Sequence, residues 1–148
     1  MNLLMDSLRT QEKYTEAEEV GRQVLILRQQ VMGADDPDAL TTMSNLAVVL
    51  EEKQRYGEAE KMTREAAVLQ TSRLGEDDPY TLTSMKNLAG LFCRQLKYDE
   101  AEDIARRALE LREAVFGRAH PDTVMSTINL KVLLRGRDKW RTAVSKDK

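Results

Sequence analysis

Displacing the 148-residue sequence by 42 positions brings like residues into register with no insertion or deletion. Gly33, Gly75 and Gly117 coincide, as do Pro37, Pro79 and Pro121, and so do the pairs Asn45-Leu46, Asn87-Leu88 and Asn129-Leu130. Tyr14, Tyr56, Tyr98 and Trp140 share one column, and the Glu-Ala-Glu triplets starting at Glu16, Glu58 and Glu100 share another. Units of this size cannot bury an apolar face alone; they stack on their neighbours as a solenoid. The expected organisation is a single array over 1–148: a partial repeat at 1–33, repeats at 34–75 and 76–117, and a partial repeat at 118–148, about three and a half units.

Helix signals occur twice per period. Asp36 and Asp78 precede Pro37 and Pro79, an N-cap acceptor followed by proline at the first helical position, where its missing N–H costs nothing. Along this helix A, Leu40, Met43, Leu46, Ala47 and Leu50 recur three or four apart, as do Leu82, Met85, Leu88, Ala89 and Phe92, which defines one buried face. His120 stands in the column of Asp36 and Asp78 and reads as a helix-start residue. After a polar turn near Lys53 to Tyr56, helix B is expected to open on Thr15, Gly57 or Asp99, with Glu18, Glu60 or Glu102 three residues on, and to stop at the glycine column. Ala17, Ala59 and Ala101 read as the small residues that let paired helices approach closely. No stretch alternates with period two, so the fold class is all-α, built of antiparallel helix pairs.

Charge excludes some partners. The 23 basic and 25 acidic residues give a formal charge of -2 and are spread along the chain, which argues against nucleic acid. No apolar run reaches the roughly 20 residues a spanning helix needs. The single cysteine, Cys93, and the lack of a leader signal favour a cytoplasmic setting. No phosphate loop, nucleophile elbow or metal-ligand spacing is present, so neither an enzyme nor a cofactor or metal is expected. Acidic clusters such as Glu16 to Glu19 read as solvated charges at helix N-termini, and the basic run from Lys131 to Lys148 as a frayed, solvated end.

These columns resemble the tetratricopeptide repeat in its 42-residue, kinesin-light-chain form. Met43, Leu46, Ala47 and Leu50, repeated as Met85, Leu88, Ala89 and Phe92, match its helix A; Tyr56 with Ala59 and Tyr98 with Ala101 match its turn and helix B. The stretches from Asp78 to Met85 and from Gly117 to Thr123 are similar to arrays of fungal NOD-like receptors. The resemblance implies a right-handed solenoid, a tetratricopeptide superhelix, whose helices A line a concave groove for a peptide or partner domain. The groove residues it implies are Asn45 and Val48; Lys86, Asn87, Gly90 and Arg94; and Asn129, Val132 and Arg135.

A repeated amide could pair with a peptide backbone without reading its side chains; alternatively, the asparagines bond a neighbouring helix and set repeat spacing. Lys86-Asn87, with Arg94 and Arg135, matches part of a carboxylate clamp known in such repeats, although Ser44 and Ile128 replace its lysine in the adjacent units. The expected function is a non-catalytic interaction scaffold, or the sensor part of a larger NOD-like or adaptor protein. Alternatives are a self-assembly or spacer module with an empty groove and a kinesin-light-chain-like cargo adaptor. By the 42-residue register both ends fall inside a repeat, with a helix A remnant to about Thr10 and a helix B remnant from about Thr142. Apolar side chains such as Leu3, Leu4, Leu8 and Leu133 are then expected to be open to end-to-end association.

Overall fold

The computed structural model describes residues 3–146, with side chains from Thr10 onward, and every element among them is helical: α1 (Leu3–Met32), α2 (Pro37–Glu52), α3 (Tyr56–Leu74), α4 (Pro79–Arg94), α5 (Tyr98–Phe116) and α6 (Pro121–Lys146). The chain forms two compact units that divide between Arg73 and Leu74.

The helix A starts are as expected. Asp36 and Asp78 accept from the N–H groups of Asp38 and Tyr80, each at 2.9 Å. His120 takes the same part before α6, its Nδ1 accepting from the Asp122 N–H at 3.1 Å. Helices α1, α3 and α5 end against Gly33, Gly75 and Gly117, all at positive φ, a conformation glycine adopts without a Cβ clash.

The hairpin turns differ from expectation. Gln54 and Leu96 hold φ of 62°, and the next N–H groups, of Arg55 and Lys97, reach back to the carbonyls of Leu50 and Phe92 at 2.9 and 2.8 Å. This tight closure leaves no room for a separate cap, so α3 and α5 open at the tyrosines and not at Gly57 and Asp99; Lys97 makes no side-chain cap bond. Thr15 lies inside α1, its hydroxyl donating to the Gln11 carbonyl at 3.0 Å.

The turns expected near Tyr14 and Trp140 are absent, since α1 and α6 run straight through them. A left-handed non-glycine residue costs about 1–2 kcal/mol, repaid only where the following helix buries an apolar face. Residues 141–146 are exposed throughout and offer no such return, so α6 continues through the helix-compatible Arg137, Asp138 and Lys139. Nor is this segment frayed: Arg137 pairs with Glu102, and Arg141 with Asp99 at 2.8 Å, both on α5. Trp140 packs its ring on Tyr98, centroids 5.8 Å apart.

Each unit has its own core. In the first, Leu25 of α1, Ala39, Leu40, Met43 and Leu46 of α2 and Ala66 of α3 close together, with Met62 and Leu69 against them. In the second, Leu88 and Phe92 of α4, Ala101 of α5 and Leu133 of α6 do the same, with Ile104, Ala105 and Leu134 alongside. Leu133 is therefore buried, not open for association as expected; the side chains of Leu3, Leu4 and Leu8 lie outside the described residues. Ala59 and Ala101 are fully buried at the helix contacts, whereas Ala17 is exposed.

Glu18 is the main electrostatic correction. It is 8% exposed, unlike Glu16 and Glu19, and it ties α1 to the α2–α3 turn. The Lys53 ammonium donates to it at 2.6 Å, the Arg55 guanidinium at 2.7 and 2.8 Å, and Arg22 at 3.0 Å. Chiefly through the Lys53 bond, against the opposing effect of burial, its carboxyl is held at about 2. Glu102 holds the same register in the second unit, paired with Arg106 and Arg137.

Candidate functional site

The second unit contains a cleft of about 230 Å³ between α4 and α6, floored by α5. Small side chains create it. Ala105 and Ala108 form the floor, Ala89, Gly90 and Cys93 one wall, and Val132 and Leu133 the other. Drug-sized ligand sites span roughly 300–1,000 Å³, so this cleft suits one or two side chains of a chain laid across it rather than a whole small molecule.

Polar groups stand at its edges. Lys86 and Asn129 line it and are exposed, which leaves their donors and the amide oxygen available at the rim. Arg112 is 9% exposed and donates to the Ser126 hydroxyl, and its backbone carbonyl accepts from Thr123 Oγ1 at 3.4 Å. No carboxylate pairs with Arg112 among the described residues. The corresponding pair in the first unit, Arg28 and Thr42, closes at 2.5 Å, so this is a repeated tether from helix B to the following helix A. Burial pushes the Cys93 thiol up, away from the thiolate that metal binding or nucleophilic chemistry requires.

Of the residues expected to form a groove, the structure brings Lys86, Gly90, Asn129 and Val132 together on this cleft. Asn87, Arg94 and Arg135 are exposed but do not line it, and Asn45 and Val48 are exposed on α2 of the first unit. The side chains of Asn45, Asn87 and Asn129 have no hydrogen-bond partner among the described residues. Sequence reasoning missed Ala105, Ala108 and Arg112, because it drew the groove from helices A alone, and it left out Ser126 of α6 as well. The available signal was the fixed 14-residue step from Arg28 to Thr42 and from Arg112 to Ser126.

Gly90 keeps one wall of the cleft low. It sits inside α4 with ordinary helical backbone, where glycine costs about 0.5–1 kcal/mol relative to alanine, and a Cβ there would meet nothing within 4 Å. Its register mates are Val48 and Val132. Gly90→Ala is therefore expected to raise the melting temperature by about 2–4 °C while narrowing the cleft; a thermal melt followed by circular dichroism checks it, and a lowered melting point would show that the wall is closed where it is drawn as open.

Among the described residues no group of three or more His, Cys, Asp or Glu side chains is placed to hold a metal ion, and no helix is long and apolar enough to cross a membrane. Residues 1–72, 45–114 and 80–146 match the tetratricopeptide repeat family in three overlapping stretches. No curated protein sequence matches the chain. Among solved structures, the nearly identical TPR-like repeats of a Podosopora anserina protein assigned as a kinesin light chain share the fold, with a TM-score of 0.78 at 20% identity over 93% of this chain and 66% of that one. BtubC (BKLC) from P. vanneervenii is similar too, with a TM-score of 0.78 at 21% identity over 90% of this chain and 54% of that one. At such identity the likeness establishes the fold; this chain spans about two thirds and about half of those two.

Proposed function

Because this chain belongs to the tetratricopeptide repeat family, whose paired helices generally serve as scaffolds for protein–protein contact, we propose that it holds an extended peptide segment of a partner protein in the cleft between α4 and α6. The observation that carries this reading is the combination of an open apolar floor with exposed, uncommitted donors and acceptors at its rim. Ala105, Ala108 and Val132 can take an aliphatic or aromatic side chain, and Asn129 and Lys86 can hydrogen-bond the peptide's main chain beside it. Asn87, Arg94 and Arg135, exposed on the same unit, are assigned to the flanking contacts of a longer segment. A kinesin-light-chain-like cargo adaptor and the sensor array of a NOD-like protein would both use this cleft and differ only in what they hold.

The test is selection of peptides from a random display library on the full chain, followed by titration of the selected peptides by fluorescence anisotropy. Gly90→Leu, which fills the cleft from an exposed helical position, is expected to weaken binding by more than about 30-fold, the effect of losing a buried hot-spot contact. Asn129→Ala is expected to cost about 10-fold, one net hydrogen bond. Peptides that bind wild type and Gly90→Leu equally would place the binding surface elsewhere and defeat the proposal.

A further inference from the structure

The cleft between α4 and α6 carries an unbalanced charge. Lys86 and Arg112 line it, and among the described residues no carboxylate does. Helix α4 bears Lys86 and Arg94 and no acidic residue along its length. Lys86 is exposed and has no partner among the described residues. Arg112 is 9% exposed, and the Ser126 hydroxyl is the one acceptor its guanidinium meets there, so most of its N–H donors are unused and its charge is not neutralised. A cation held out of water in this way costs free energy that an arriving anion recovers.

Repetition does not account for the pair. Lys86 shares its column with Ser44 and Ile128, and Arg112 shares its column with Arg28 and Gln70, so the two cations occur together in one repeat, the one at 76–117. In the first unit Arg28 divides its donors between the Asp38 carbonyl at 3.2 Å and the Thr42 hydroxyl at 2.5 Å, and every charged residue of α2 is acidic: Asp38, Glu51 and Glu52.

The number of charges selects the anion. A carboxylate neutralises one of the two cations, whereas a phosphate monoester carries about -1.5 to -2 at neutral pH and neutralises both. Its three oxygens can accept together from the guanidinium fork, from the Lys86 ammonium and from the Asn129 amide at the rim. Ala105, Ala108 and Gly90 leave about 230 Å³ open, space for a phosphoryl group beside one apolar side chain. We infer that the segment held in the cleft is phosphorylated, with its phosphoserine on Lys86 and Arg112 and an apolar neighbour on the alanine floor. This rests on the cleft reading above and names the chemistry of what the cleft holds.

Pools of short peptides, random except for a central phosphoserine, serine or glutamate, test it on the immobilised full chain. The phosphoserine pool is expected to be retained about 10- to 100-fold more strongly than either other pool, the range for hydrogen bonds to a charged group. Lys86→Ala, at an exposed position, and Arg112→Gln, which keeps to the residue types its own column tolerates, are each expected to lose most of that preference with helicity by circular dichroism unchanged. Should Arg112→Gln lose helicity, Lys86→Ala decides alone. Equal retention of the serine and phosphoserine pools, abolished by Gly90→Leu, would overturn this inference and leave the cleft reading standing. Glutamate retained as well as phosphoserine, or a phosphoserine preference that Lys86→Ala leaves intact, would overturn it too, and retention of no pool would overturn both readings.

Discussion

Phe92→Ala is expected to lower the unfolding free energy by about 3–5 kcal/mol, the range for removing a fully packed aromatic side chain and leaving a cavity. Phe92 is 2% exposed and stands where α4, α5 and α6 converge, touching the group that contains Leu88, Ala101 and Leu133. It is among the largest fully buried side chains, and the Lys97 ammonium lies 5.8 Å from its ring centroid, which adds a second attachment on the turn side. The site cannot collapse easily, because Ala101 and Ala105 on α5 have no side-chain length with which to fill the space. A whole domain of this size holds only about 5–15 kcal/mol in reserve, so the variant should unfold cooperatively at a much lower urea concentration. Phe92→Leu should retain most of the stability, since Leu50 and Leu134 fill the same register position elsewhere in the chain. Urea unfolding with a shared slope gives the difference; a loss for Phe92→Ala under about 1 kcal/mol would contradict the packing described for the second unit.

Glu18→Gln is expected to cost about 2–3 kcal/mol and to remove a pH dependence that wild type should show. The Glu18 carboxyl is held at about 2 in the folded chain against an ordinary 4.5, a difference worth roughly 3 kcal/mol at the upper limit, reduced because its cationic partners are partly solvated. The sign follows from proton counting. Between these two values the unfolded chain binds a proton that the folded chain does not, so stability falls as pH falls from about 5 toward 2 and is fully present above that window. The amide cannot titrate, so that part of the slope vanishes in the variant; Glu19→Gln, at an exposed position next to Glu18 on α1, serves as a control expected to leave stability unmoved. Equilibrium unfolding from pH 7 down to about pH 3 measures both, and parallel curves for wild type and Glu18→Gln would show that the carboxylate is not held as described.

The helix A starts, their buried faces and the glycine stops could be read from residue type because each depends on its immediate neighbours: Asp36 and Pro37 need nothing beyond one helical turn to act. The hairpin turn could not be read in this way. Gln54 and Leu96 carry no mark of a left-handed residue, and their conformation is maintained by the burial that follows them; where that burial is missing, at Asp138, the helix continues. Glu18 shows the same limit. Its triplet is indistinguishable from its neighbours in sequence, and only the approach of Lys53 and Arg55 from more than thirty residues away separates a clamp from a solvated charge.

The candidate site divides along the same line. Lys86, Gly90, Asn129 and Val132, which the family resemblance implied as groove residues, line one cleft, whereas Ala105, Ala108 and Arg112 enter it through the packing of α5 beneath α4 and α6. By itself the sequence determined that the chain is helical, where its helices A begin, and that it repeats every 42 residues, because capping and periodicity are local and survive any arrangement of the elements. Tertiary structure alone decided which glutamate is buried, which helices run unbroken and which small side chains leave a cleft, because each of these depends on the balance between conformational cost and burial against residues distant in the chain.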